Sequence, residues 1–274
     1  MRFEIVTLFP GFFSGPLDFG VLRRAQAMGL AAVKLHDLRR YTGDRRGTVD
    51  DRPYGGGEGM VLKPEPMFDA VAALGVSARE ERVERRETVV LLSAQGSPFT
   101  QAVAHELAEL ERVVLLCGRY EGVDERVNDL VCDRELSIGD YVLSGGEIAA
   151  AVIVDAVVRL LPGSLGNADS SRFESFGVRE VEMGGGGGPR ATHGAGGLLD
   201  YPHYTRPAEF RGVGVPEVLM GGDHHAVRTW RRRKAIEKTL RNRPDLLAGA
   251  VLTEEERAIL DELRREMARA NPVP

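Results

Sequence analysis

Two short runs, Thr88-Val89-Val90-Leu91-Leu92 and Arg112-Val113-Val114-Leu115-Leu116-Cys117, are almost continuously apolar. A strand that read polar on one face would alternate, so runs like these belong to parallel strands covered on both sides. β-rich runs at 3–8 and 32–38 extend the pattern. Amphipathic helical stretches at 17–28, 64–74, 100–110 and 147–161 alternate with the strands. That alternation predicts an α/β layer fold built on a parallel sheet.

The run at 112–117 ends in Gly118-Arg119-Tyr120-Glu121-Gly122, a polar loop bounded by glycines. Further on, Ser137-Ile138-Gly139-Asp140-Tyr141-Val142-Leu143-Ser144-Gly145-Gly146-Glu147 is too polar and glycine-rich for a core, yet it feeds an apolar helix. Irregular polar backbone leading into a helix is where main-chain groups commonly hold small ligands. Two such loops predict one pocket built from strand ends. The chain has no G-x-x-x-x-G-K-[ST] element, and Gly55-Gly56-Gly57-Glu58-Gly59 follows a polar loop, not a strand, so it is no dinucleotide fingerprint. His224 and His225 are neighbours on a predicted helix and cannot face one metal together. Cys117 and Cys132 read as reduced core thiols without zinc spacing.

A chain of 274 residues exceeds most single cores and predicts two domains. Residues 1–163 carry the α/β pattern. Leu161-Pro162-Gly163 stops the long helix, and 164–197, with five consecutive glycines from Gly184, reads as a flexible linker. Residues 198–274 read as a small all-helical domain with helices at 224–240 and 253–270. No apolar run approaches the roughly 18 residues of a membrane span, and the first residues read as a strand, not a signal peptide, so a cytoplasmic location is expected.

Net charge is −5, which disfavours nucleic acid as a partner, but the average hides an asymmetry. Between 228 and 243 stand Arg228, Arg231, Arg232, Arg233, Lys234, Lys238, Arg241 and Arg243, with Glu237 as the lone acid. A local basic face can bind phosphates on an acidic protein, and a solvated helix face has the same composition. Arginines, acids and glycines at 45–59 suit a loop that meets a polyanion, or one tied by its own salt bridges.

Four long motifs carry a resemblance. Asp50-Asp51-Arg52-Pro53-Tyr54-Gly55-Gly56-Gly57, Cys117–Gly122 (CGRYEG), Ser137–Glu147 (SIGDYVLSGGE) and Leu199-Asp200-Tyr201-Pro202-His203-Tyr204-Thr205-Arg206-Pro207 stand in the order found in the bacterial tRNA (guanine-37-N1)-methyltransferases, the TrmD family. The chain resembles that family over nearly its whole length. The resemblance implies a SPOUT-type α/β fold with a parallel sheet and a C-terminal trefoil knot, a rare exception to unthreaded topology. It implies S-adenosylmethionine as methyl donor, held by Leu92, Ser93, Ala94, Gly118, Tyr120, Glu121, Ser137, Ile138, Gly139, Tyr141, Leu143, Gly145 and Gly146. It implies a homodimer with shared active sites, acting on the anticodon stem-loop of tRNA and on neither DNA nor membranes. Family members depend on magnesium, but this sequence shows no metal cage and no metal site is assigned.

Methyl transfer to guanine N1 needs a base for the N1 proton, which can supply roughly 10²–10⁴-fold, and a cation for charge developing on O6. By resemblance Arg159 supplies the cation. The family's base is an aspartate before a Ser-Phe pair; the matching position here is Glu174, with Asp169 as the substitute if the loop registers differently. Asp50, Arg52, Tyr54, His203, Arg206, Arg232 and Arg233 are the expected tRNA contacts. The segment 177–197 is longer than the family linker and is expected to be disordered without tRNA. The aspartate-to-glutamate change and this insertion also admit another reading, a member that binds tRNA and cofactor without catalysis.

Overall fold

The computed structural model describes residues 1–166, 174–177 and 196–270. The chain divides into two compact units, Met1–Gly166 and Asn167–Pro274.

The first unit runs β1 (Arg2–Thr7), α1 (Gly20–Ala27), β2 (Ala32–Asp37), β3 (Asp50–Asp51), β4 (Val61–Leu62), α2 (Pro64–Ala73), α3 (Arg82–Arg85), β5 (Glu87–Pro98), α4 (Gln101–Ala108), β6 (Arg112–Cys117), α5 (Glu125–Val131), β7 (Arg134–Ser137) and α6 (Glu147–Val158). Five strands form one parallel sheet in the order β2-β1-β6-β5-β7. Every residue of β6 is buried, because successive side chains enter different cores. Val113, Leu115 and Cys117 face a cluster with Leu22 of α1, Leu107 of α4 and Ile153 of α6. Val114 and Leu116 face Met67 and Val71 of α2 and Val127 of α5.

The short elements β3, β4, α3, α5 and β7 escape a reading by pattern, and two of them, α5 and β7, border the site. α5 is seven residues long and β7 four, too short to show a period. The side chain of Asp124 starts α5 by accepting the Arg126 N–H. β5 also runs past the predicted end at Leu92. Leu136 of β7 pairs with both Leu92 and Ser97, so residues 93–96 loop out of the sheet before pairing resumes.

The second unit contains β8 (Glu209–Phe210), β9 (Val213–Gly214), α7 (His224–Asn242), α8 (Leu246–Gly249) and α9 (Glu254–Ala270). The antiparallel pair of β8 and β9 corrects the all-helical expectation: Gly212, with φ of 77°, closes a tight hairpin. Leu198, Ile236, Leu252, Leu260 and Leu263 form the core between α7 and α9. Residues 174–177 make a turn stitched to the chain that follows the insertion. Phe176 N–H donates to Leu198 O at 2.9 Å, and the Ser175 hydroxyl accepts from Asp200 N–H at 2.9 Å. Gly177 O accepts from Gly196 N–H at 2.8 Å and Gly197 N–H at 3.1 Å. Residues 177 and 196–197 are therefore held together at one pinched base. The expected disorder of 177–197 concerns mainly residues outside those described.

Candidate active site

The carboxyl ends of β5, β6 and β7 lie side by side, and the loops leaving them enclose a cavity of about 200 Å³. Ligands of open α/β sheets occupy this end, where backbone groups of several loops converge. All of the residues assigned above to the methyl donor line it: Leu92, Ser93 and Ala94 from the loop out of β5, Gly118, Tyr120 and Glu121 after β6, and Ser137, Ile138, Gly139, Tyr141, Leu143, Gly145 and Gly146 after β7.

The two glycine-bounded loops are joined to each other. Arg119 bridges Gly145 in antiparallel fashion, and Gly146 N–H donates to Gly118 O at 2.9 Å. That approach requires glycine. A Cβ on Gly146 would stand 2.8 Å from Cys117 Cα and 3.1 Å from Gly118 N, both backbone atoms that cannot yield. The loop after β7 is braced internally as well: Ser137 Oγ donates to Gly139 O at 3.1 Å, and the Tyr141 hydroxyl donates to Ile138 O at 3.0 Å.

Glu147, the first residue of α6, is 1% exposed. Its Oε1 accepts from the Thr7 hydroxyl at 2.7 Å, and its Oε2 pairs with Arg119 Nη2 at 3.0 Å. The Arg119 guanidinium also lies 4.4 Å from the centroid of the Phe9 ring. One buried carboxylate thus locks β1, the loop after β6 and the start of α6 together. Sequence reasoning passed over Glu147; the available signal was an acid opening an otherwise apolar helix. Beneath it, burial pushes the Cys117 thiol well up, with the Glu147 carboxylate adding to the effect and Arg119 opposing it. Glu121, Glu125 and Glu135 also line the cavity, and the Arg119 guanidinium there is already paired. The wall favours a cationic ligand.

The hairpin of β3 and β4 lies beside this site. Glu121 N–H donates to Met60 O at 3.1 Å, and Leu62 N–H donates to Gly122 O at 3.0 Å. Asp50 sits half-buried opposite Leu62, while Arg52 and Tyr54 are exposed. Asp44 anchors the preceding turn through Thr48, whose hydrogen bonds hold the Asp44 carboxyl below its ordinary range.

Arg159 does not reach the cavity of its own chain. It caps the carboxyl end of α6, whose amino end faces the cavity, and 12 helical residues put about 18 Å between the two. Glu174 lies in the second unit, in the turn 174–177. Asp169 lies outside the described residues.

Two of the expected tRNA contacts already have partners within the second unit. Arg232 is 5% exposed, and its Nε donates to Glu256 Oε1 at 2.6 Å, so it holds α7 to α9 and cannot grip solvent-side phosphate. Arg233 is paired with Glu262 and Glu266 of α9. The charge run recorded basic residues without showing which face of α7 they occupy. Arg228 and Lys238 are exposed. His203 and Arg206 are exposed too, and His203 Nε2 lies 3.0 Å from Asp200 Oδ2. Among the described residues no group of three His, Cys, Asp or Glu side chains could hold a metal ion, and no helix is long and apolar enough to cross a membrane.

Comparison with known proteins adds a second line of observation. A family model described as tRNA (Guanine-1)-methyltransferase TrmD matches residues 1–249. The chain is 56% identical over 264 residues to a tRNA (guanine-N(1)-)-methyltransferase of Koribacter versatilis, covering 96% of this chain and 98% of that one. It is similarly 48% identical to a protein of the same name from Dictyoglomus turgidum (97% and 98% covered) and 45% identical to one from Heliobacterium modesticaldum (100% and 94% covered).

Proposed function

This chain belongs to the tRNA (guanine-1)-methyltransferase family, TrmD, and we propose on that premise that it methylates N1 of guanine 37 in tRNA with S-adenosylmethionine as donor. The chain is an enzyme of the tRNA (guanine-N1-)-methyltransferase class. The observation that carries the choice of donor is the cavity itself: motifs far apart in sequence converge there, and glycine lets their backbones close on each other. The carboxylates on its wall suit a sulfonium.

Bound in this cavity, the donor would supply an activated methyl group, its sulfur keeping the bonding electrons as the methyl moves to guanine N1. The loops at 93–96, 118–122 and 137–146 bind and orient it. The Glu174 carboxylate takes the N1 proton, and the Arg159 guanidinium stabilises the charge left on O6. Arg159 stands at the wrong end of α6 for its own cavity. This supports a homodimer in which each site draws Arg159 from the partner copy. Exposed apolar residues support the same reading, since Ile148 and Val152 of α6 are 45% and 42% solvent-accessible on a helix whose opposite face is buried. The remaining assignments follow from the family: a trefoil-knotted first domain over 1–163, an RNA-binding domain over 198–274, and a cytoplasmic setting where tRNA is found.

The test is methyl transfer from labelled donor to a tRNA transcript, with guanine 37 replaced by adenine as control. Labelling that depends on guanine 37 supports the proposal, and a binding-only protein would give none. Glu174→Gln should lower turnover by about 10²-fold or more while leaving donor binding by calorimetry intact. Undiminished turnover would remove Glu174 as the base.

A further inference from the structure

The second unit has a cavity of its own, of about 390 Å³, whose walls differ in kind from the first. No carboxylate lines it among the described residues, but the guanidiniums of Arg206 and Arg231 do. Arg231 is stacked 4.8 Å over the Tyr201 ring, and Tyr201 in turn lies 4.7 Å from the His203 ring, which Asp200 orients. Tyr204 is half-exposed at the wall, and Met220 adds an apolar surface. Aromatic faces, a planar cation and an apolar floor are how proteins hold a base splayed from single-stranded RNA, with a guanidinium left for its phosphate.

We propose that this cavity receives one unstacked nucleobase of the tRNA anticodon loop, other than the methylated guanine, with Tyr204 as its stacking face and Arg206 and Arg231 at its phosphate. The inference rests on the tRNA reading above and adds a subsite to it. The two cavities sort their ligands by charge. The acidic one takes a cation, and the basic aromatic one takes a base on an anionic strand.

The chain has one tryptophan, Trp230, and its ring lies 6.2 Å from that of Tyr204. Its fluorescence reports on the Tyr204 ring at the cavity wall. Wild-type protein is titrated with tRNA carrying a single abasic nucleotide at each anticodon-loop position in turn, and with intact tRNA. One abasic position should abolish the Trp230 response and weaken binding about ten- to hundredfold. Tyr204→Leu, a substitution at a half-exposed site, should weaken intact tRNA by a similar factor and lose nothing further with that same abasic RNA. The proposal is overturned if every abasic RNA binds like the intact one, or if the two losses multiply at every position. Guanine-37 methylation of intact tRNA by wild-type protein is measured alongside. Methylation without a cavity effect overturns the subsite alone, and absence of methylation strikes the tRNA reading itself.

Discussion

Arg232→Met tests how the second unit is held together. The Arg232 and Glu256 side chains are 6% and 3% exposed and their nearest atoms are 2.6 Å apart. Glu256 is also fixed from its own helix, its Oε2 accepting Thr253 N–H at 2.8 Å while Thr253 Oγ1 accepts Glu256 N–H at 3.3 Å. Removing the guanidinium takes the cationic partner of the pair from a buried carboxylate, which costs about 3–5 kcal/mol. With a urea dependence of about 1–3 kcal/mol per molar, the unfolding midpoint should fall by about 1–5 M. Trp230 sits on α7, so its fluorescence follows this unit. Arg232→Met combined with Glu256→Leu should recover about 2–4 kcal/mol, because no charge is left buried, less about 1 kcal/mol for the lost cap. A single variant destabilised by under about 1 kcal/mol, or a double variant no better than the single, would refute the reasoning. The same pair of proteins separates structure from RNA contact. The double variant should keep the wild-type salt dependence of tRNA binding, whereas Arg228→Ala at the exposed surface should lower the slope by about 0.7–0.9.

Gly146→Ala should weaken donor binding in calorimetry at least tenfold, because its Cβ meets Cys117 and Gly118 backbone. Gly11→Ala, where a Cβ meets nothing within 4 Å, should leave it unchanged, and equal affinities would refute the close-approach argument. Asp223 caps α7, and the N–H groups of Ala226 and His225 hold its carboxyl below the ordinary range. A depressed folded pKa gives stability that is present above the unfolded value and lost as pH falls through the folded one. The difference in urea midpoint between wild type and Asp223→Ala should therefore be full at pH 7 and vanish in acid; a gap that persists at low pH would contradict it.

The parallel sheet was legible because Val89–Leu92 and Val113–Leu116 admit no alternation, a pattern independent of context. The cavity was legible because its glycines stand in long motifs. What escaped detection did so for identifiable reasons. α5 and β7 are too short for a period to stand out. Arg232 belonged to a charge run whose buried member only the packing of α7 on α9 reveals. Glu147 resembled any acid in a first turn until Thr7, some 140 residues earlier in the chain, closed on it. Arg159 could be matched to a motif, and the loop that feeds α6 already put the amino end at the pocket, so Arg159 at the far end implied a distance that the motif match alone did not show.

The pinch at Gly177 explains how the region around Glu174 can tolerate growth nearby. Hydrogen bonds at 196 and 197 fix the exit and the re-entry together, so spacing between Ser175 and Asp200 does not depend on how many amino acids are spliced between them. For a flexible loop, closure costs only about 0.6 kcal/mol more for each doubling of length. Residues added or removed there would therefore leave the register of Ser175 and Asp200 unchanged.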